Sequence, residues 1–124
     1  ILLVHENDGK WSLPGGWVDV NVSVGENVVK EVKEESGLDV ITEKVIAIQD
    51  RSKHNLPVYA YGICKIFVQC SVIGGKFEEN NETTEYRYFS ISELPELATE
   101  KNTVEQIKMC FEAYKSDNWK TLLD

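Results

Sequence analysis

Cationic side chains are scarce in this chain: 13 lysines and arginines stand against 21 aspartates and glutamates, a formal charge of -8. A surface that coats nucleic acid needs clustered Lys and Arg, so no nucleic-acid partner is expected. A phosphorylated small molecule stays open, because metal cations can neutralise the contact. Cysteine is also sparse. Cys64, Cys70 and Cys110 are odd in number and form no C-x-x-C pair, which argues against a disulfide framework or a zinc site and for a reducing, cytoplasmic setting. No apolar run reaches the ~18 residues of a membrane span, since Lys65 and Gln69 interrupt the best candidate. No signal-peptide pattern, internal repeat, linker or low-complexity segment is present. Nor is there an initiator Met: Ile1 stands inside the apolar run "ILLVHEN", and the reading expects the natural protein to carry a further N-terminal portion before it.

What is present fits one domain over residues 1–124, with 42% hydrophobic and 27% charged residues, enough for a single core and ordinary for a globular chain. "ILLVHEN", Asp8-Gly9 and "KWSL" read as strand, tight turn and strand. Pro14-Gly15-Gly16 stops the second strand, and "WVDV" is expected to resume extended structure. "DVITEKVIAIQDRS" reads as one long strand or two short ones. "YAYGICKIFVQCSVI" gives the strongest strand signal, with Ala60, Gly62, Cys64, Ile66, Val68, Cys70 and Val72 expected to face the core. "KFEENNETTEYRYFSI" is a polar loop entering an aromatic strand. Ser92 is expected to cap a helical turn, and Thr103 with Gln106 to open a last helix whose core stripe is Ile107, Cys110, Phe111 and Tyr114. The outcome is an α/β chain with more strands than helices.

One helix carries the chemistry. Ser23 and Glu26 form a capping box, and Gly37 closes the helix as the residue after its last turn. Val28, Val29 and Val32 make its apolar stripe. Glu31, Glu34 and Glu35 lie at i, i+3 and i+4, so three carboxylates share the other flank. Such a cluster is most often a solvated face. It becomes a hard-cation site when the chain around it demands one, because Mg²⁺ prefers carboxylate oxygens and retains waters that can act as nucleophiles.

The surrounding residues resemble those of a family that has one. Gly16, Val22 and "KEVKEESGL" from Lys30 to Leu38 occupy, without a gap, the frame G-x5-E-x7-R-E-U-x-E-E-x-G-U of the Nudix box, over about residues 16–38. "LPGGW" before it and "FSISELPEL" near the other end also resemble Nudix hydrolases. The resemblance implies a mixed β-sheet sandwiched between helices, and divalent-metal hydrolysis of a nucleoside diphosphate linked to another moiety. Mg²⁺ or Mn²⁺ is the implied cofactor and a small nucleotide-diphosphate the implied partner, with ADP-ribose leading; homodimers are common in the family. Carried over, Glu31 and Glu35 are the principal metal ligands, and Glu34 binds a further metal or orients the water. The Gly15 carbonyl is an additional ligand, and which glutamate is the base stays open.

Two positions depart from the pattern: Val22 replaces the first box glutamate and Lys30 the arginine. In the family these two side chains pair as a brace between loop and helix, and Glu26, explained by its cap, does not replace the missing acid. A degenerate box also admits a second reading, a non-catalytic Nudix domain that senses a nucleotide or serves as an interaction module. Weaker substrate-binding candidates are Trp17, which can stack on a base, Arg51 beside the loop "KHNLP", and Glu82 and Glu85 in the polar loop before "YRYF".

Overall fold

The computed structural model describes residues 1–124. Its elements run β1 (Leu2–Glu6), β2 (Trp11–Ser12), α1 (Val24–Ser36), β3 (Leu38–Asp50), β4 (Cys64–Gly75), β5 (Thr83–Tyr88), α2 (Val104–Lys115) and β6 (Leu122–Leu123). They form an α/β fold in which the mixed sheet is divided in two. One three-stranded sheet has the order β2-β1-β5 with antiparallel pairing, and the other has the order β4-β3-β6. β6, absent from the sequence reading, lies parallel to β3. The first helix packs against β3 and β5, the second against β3 and β4.

Local chemistry accounts for the helices. Ser23 Oγ accepts from the Glu26 N–H and Glu26 returns to the Ser23 N–H, so the box satisfies two donors that the first turn leaves free. Thr103 and Gln106 do the same for α2. Each cap is worth about 1 kcal/mol. The expected stripes are partly revised. Val32 is buried but Val29 is 37% exposed, and in α2 Met109 and Ala113 are buried where Tyr114 is 72% exposed.

The strands depart further from expectation. "WVDV" forms no strand, and Tyr59–Ile63 stays outside β4. Within β4 the only fully buried residue, Phe67, is on the odd-numbered face, while on the even face Cys70 packs against Val32, Leu38 and Val40. Phe67 is buried against Ala47, Met109 and Cys110, while Ile66, Val68 and Cys70 are only half-buried and Cys64 and Val72 are exposed. Lys65 and Gln69 share Phe67's side of the strand, and their Nζ and Oε1 atoms are buried without partners. Desolvation pushes the Lys65 ammonium down to about 8. The single turn of 3-10 helix at Ile91–Glu93 starts after Ser90, not Ser92, and no side chain caps it. The three cysteines are free, and no helix is long and apolar enough to cross a membrane.

Candidate functional site

The loop from Pro14 to Val22 and the helix after it build the site together. Glu35 is 8% exposed, and its Oε2 accepts the Gly15 N–H at 2.9 Å. The carbonyl of Glu35 accepts from Thr83 Oγ1 at 2.5 Å and Asn80 Nδ2 at 3.3 Å, which ties the end of α1 to the start of β5. Burial pushes the Glu35 carboxyl up to about 7. Glu31 and Glu82 push in the same direction, against the Gly15 N–H and the charge of Lys101. A carboxyl held this way gains from a cation beside it.

Glu31, one turn earlier, has a side chain only 13% exposed. Its carboxylate lies against Gly16, where an added Cβ would stand 2.8 Å from Glu31 Oε2. Glycine at 16 thus leaves room for the carboxylate. Gly16→Ala should swing Glu31 aside; on the expectation that Glu31 is a metal ligand, turnover should fall on the order of 10²-fold, the cost of misplacing such a group by about 1 Å. Because the clash meets only the end of a flexible side chain, the urea midpoint should stay near that of the native chain. Kinetics and denaturation on one preparation check both parts.

The third glutamate goes elsewhere. Glu34 has a side chain 59% exposed and pairs with Lys30 at 3.4 Å. On a helix of 3.6 residues per turn it stands well off the Glu31–Glu35 row. Glu34 shares Lys30 with Glu31, whose carboxylate lies 3.1 Å from the same Nζ, but is itself far more exposed.

A cavity of about 350 Å³ opens beside Glu35, lined by Glu6, Asp8, Glu35, Glu82 and Lys101 among others. Glu82 is brought to this cavity. Glu85 is not: it lies on β5 opposite His5 and pairs with Arg87 at 3.4 Å on the surface. Arg51 is 5% exposed, and its guanidinium donates to the carbonyls of Pro57 and Glu100 at 2.7 and 2.8 Å. It braces two loops, leaving little for a substrate. Trp17 is 67% exposed, a free ring beside the glycine loop.

Two residues of the cavity went unnoticed in the sequence. Glu6, at the end of β1, accepts from Ser12 Oγ and from Lys101 Nζ, the latter at 2.7 Å. Lys101 is the only cationic side chain lining the cavity. Neither belongs to a local pattern.

No three His, Cys, Asp or Glu side chains close on one point as a metal cage. Mg²⁺ does not require one. It is usually held through one or two carboxylates and completed by waters and substrate phosphates. Glu31 and Glu35, one turn apart on the helix, with the cavity beside Glu35, fit that mode.

A family model described as the NUDIX domain matches residues 1–109. The candidate ADP-ribose pyrophosphatase YjhB of Bacillus subtilis (strain 168) is 42% identical over 125 residues; the match spans 100% of this chain and 60% of that protein. A crystal structure of an ADP-ribose pyrophosphatase from Streptococcus suis 89-1591 is 52% identical with a TM-score of 0.92, covering 99% of this chain and 88% of the other. A crystal structure of a UDP-X diphosphatase is 31% identical with a TM-score of 0.89, covering 98% of this chain and 59% of the other.

Proposed function

The chain belongs to the NUDIX domain family, and on that premise we propose that it hydrolyses the diphosphate bond of a nucleoside diphosphate linked to another moiety, with ADP-ribose the leading substrate and Mg²⁺ or Mn²⁺ the cofactor. One observation carries the reading. Glu35 is buried and raised to about 7, yet its carboxylate opens on a cavity with Glu82 and Lys101. A carboxylate kept in so unfavourable a place has a natural use beside a cation. The names of the Streptococcus suis and Bacillus subtilis relatives support ADP-ribose, and the UDP-X diphosphatase keeps other nucleoside-diphosphate conjugates close behind.

When bound, the cation withdraws charge from the diphosphate and lowers the pKa of a coordinated water. Glu31 and Glu35 are the side chains to hold it. The Gly15 N–H fixes the orientation of Glu35, and Gly16 leaves Glu31 space. Glu82 faces the same cavity and is placed to orient water, while Lys101, held by Glu6, offers positive charge to the phosphate oxygens. Water adds to one phosphorus and the bridging P–O bond breaks. ADP-ribose would yield AMP and ribose phosphate. Trp17 is left to stack on the base.

The test is turnover with Mg²⁺ or Mn²⁺ on ADP-ribose, UDP-linked sugars, NADH, dinucleoside polyphosphates and triphosphates, followed by product analysis. The proposal expects two phosphomonoesters from ADP-ribose and smaller rates on the other conjugates. Tight binding without any turnover would favour the sensor reading. Turnover of triphosphates alone would replace the substrate class.

A further inference from the structure

The family's brace joins box positions that hold Val22 and Lys30 in this chain, and valine cannot pair with anything. The loop nevertheless remains fixed to the helix. Lys30 Nζ lies 3.0 Å from Asp19 Oδ2, 3.1 Å from Glu31 Oε1 and 3.4 Å from Glu34 Oε2. Beside it, Asn27 is 3% exposed and reaches the same loop from the helix. Its Oδ1 accepts the Asp19 N–H at 3.2 Å, and its Nδ2 donates to the Trp17 carbonyl at 3.1 Å. The loop curls after Asp19: Asn21 has φ 64° and the Val22 N–H donates to the Asp19 carbonyl at 3.3 Å. That curl brings residue 19 to the helix face at residue 30.

We propose that Asp19 and Lys30 form a replacement brace, and that both are positioning residues whose work is to hold the Glu31 carboxylate in place. The proposal rests on the reading above only in taking Glu31 as a metal ligand.

Three points favour positioning over a merely solvated charge cluster. First, an ammonium has three N–H donors, and Lys30 has three carboxylate acceptors around it. A planar guanidinium suits one carboxylate edge-on, through two parallel N–H···O bonds, so arginine with a single glutamate and lysine with Asp19, Glu31 and Glu34 are alternative solutions to one task. This explains why Val22 and Lys30 depart from the box together. Second, the side chains of Lys30 and Asp19 are 35% and 56% exposed, where an ion pair adds little to global stability. Orientation is what such a pair can supply. Third, Asn27 fixes the backbone at Asp19 from a buried position, so the carboxylate is presented to Lys30 by a held main chain and not by a mobile loop.

The test compares Asp19→Asn, Lys30→Met and the double variant by two readouts: Mn²⁺ affinity from electron paramagnetic resonance, and amide hydrogen exchange of residues 15–22 in metal-free protein. Each single variant should weaken Mn²⁺ binding about tenfold, the usual cost of losing a partner that orients a ligand. The double should be no weaker than the worse single, since the two act as one unit. Exchange of the loop amides should quicken in all three while the core amides stay unchanged. Val22→Glu with Lys30→Arg, added to Asp19→Asn, should restore both readouts by rebuilding the family's own pair. Losses that multiply in the double variant, or unchanged loop exchange, would overturn the proposal. If the native chain binds no Mn²⁺, Glu31 as ligand fails, and loop exchange still decides whether the brace exists.

Discussion

Glu35→Gln should lower turnover at least about 10³-fold, as loss of a charged group at the reacting centre does, and should at the same time make the metal-free protein more stable at pH 8. The two effects have one cause. Glu35 sits at 8% exposure with a pKa of about 7, above its ordinary value of 4.5, so the folded chain holds the proton more tightly than the unfolded one. The associated stability is fully present below pH 4.5 and is lost as pH rises through 7. Glutamine carries no charge to desolvate, and its amide oxygen can still accept the Gly15 N–H. The gain at pH 8 is about 3 kcal/mol, or roughly 10 °C in Tm for a domain of this size. At pH 4 the native chain and the variant should melt together. Saturating Mg²⁺ or Mn²⁺ should reverse the order at pH 8, because the cation binds the native Glu31–Glu35 pair more tightly than Glu31 alone and stabilises by mass action. Equal Tm values at pH 8 without metal would show that Glu35 is not under strain. Turnover surviving the change would remove it from the reaction.

On the proposed function the site destabilises its own fold until a cation arrives, which separates stability from function in a testable way. Glu31 contributes to the same strain, as does Glu82 from the other side of the cavity. Lys101 opposes them and is itself held by Glu6. The cavity is thus neither a plain acidic patch nor a neutral cleft. It has several negative charges and one positive charge, an arrangement suited to a cation and an anionic diphosphate together.

What the sequence made legible was local. Ser23 with Glu26, Thr103 with Gln106 and Gly37 carry their meaning within one helical turn. The Glu31–Glu35 pair is likewise set by helical spacing alone. The buried face of β4 was not legible, because Ile66, Val68 and Cys70 on one side and Phe67 on the other are all apolar. Alternation cannot choose a face when both carry such residues. Which side packs is decided by Met109 and Cys110 of α2, more than 40 positions away, and bulges in β3 shift the register besides. Arg51 misled for a related reason. A loop arginine usually reaches solvent or ligand, and only tertiary structure brings the Glu100 carbonyl to it. Helical spacing grouped Glu34 with Glu31 and Glu35, but could not show that it is the exposed member of the three, sharing Lys30 with Glu31. Glu6 and Lys101 meet across 95 positions of chain, and no spacing rule reaches so far. Asp19 lay inside the box, but its approach to Lys30 became visible only in the curl at Asn21.

Gly37→Ala should be the most damaging single change to the fold. Gly37 ends α1 at φ 75° and ψ -1°, with its N–H bonded to the Lys33 carbonyl and its own carbonyl accepting from Lys33 Nζ. Left-handed backbone alone costs a residue with a Cβ about 1–2 kcal/mol. Here the Cβ would also overlap the Lys76 carbonyl oxygen and stand 2.9 Å from the Glu78 nitrogen, main-chain atoms that cannot turn aside. The opposing glycine is equally confined: Gly75, at φ 85°, has the Asp39 nitrogen 2.8 Å from where its Cβ would be. Leu38 pairs with Gly75, so the end of the helix and the end of the β3–β4 hairpin meet main chain to main chain. The loop that leaves this junction carries Asn80 to the Glu35 carbonyl and Glu82 to the cavity. A loss of about 4 kcal/mol or more in urea unfolding is expected, at the upper end for single substitutions. Gly9→Ala is the matched control. Gly9 is also left-handed, at φ 85°, but nothing lies within 4 Å of its added Cβ, so only the backbone term of about 1–2 kcal/mol should appear. If Gly37→Ala cost no more than Gly9→Ala, the close approach of residues 37 and 76–78 would be wrong. If it costs the larger amount yet still folds, Glu82 should be displaced with the loop, and turnover should fall in the folded fraction although no carboxylate has been changed.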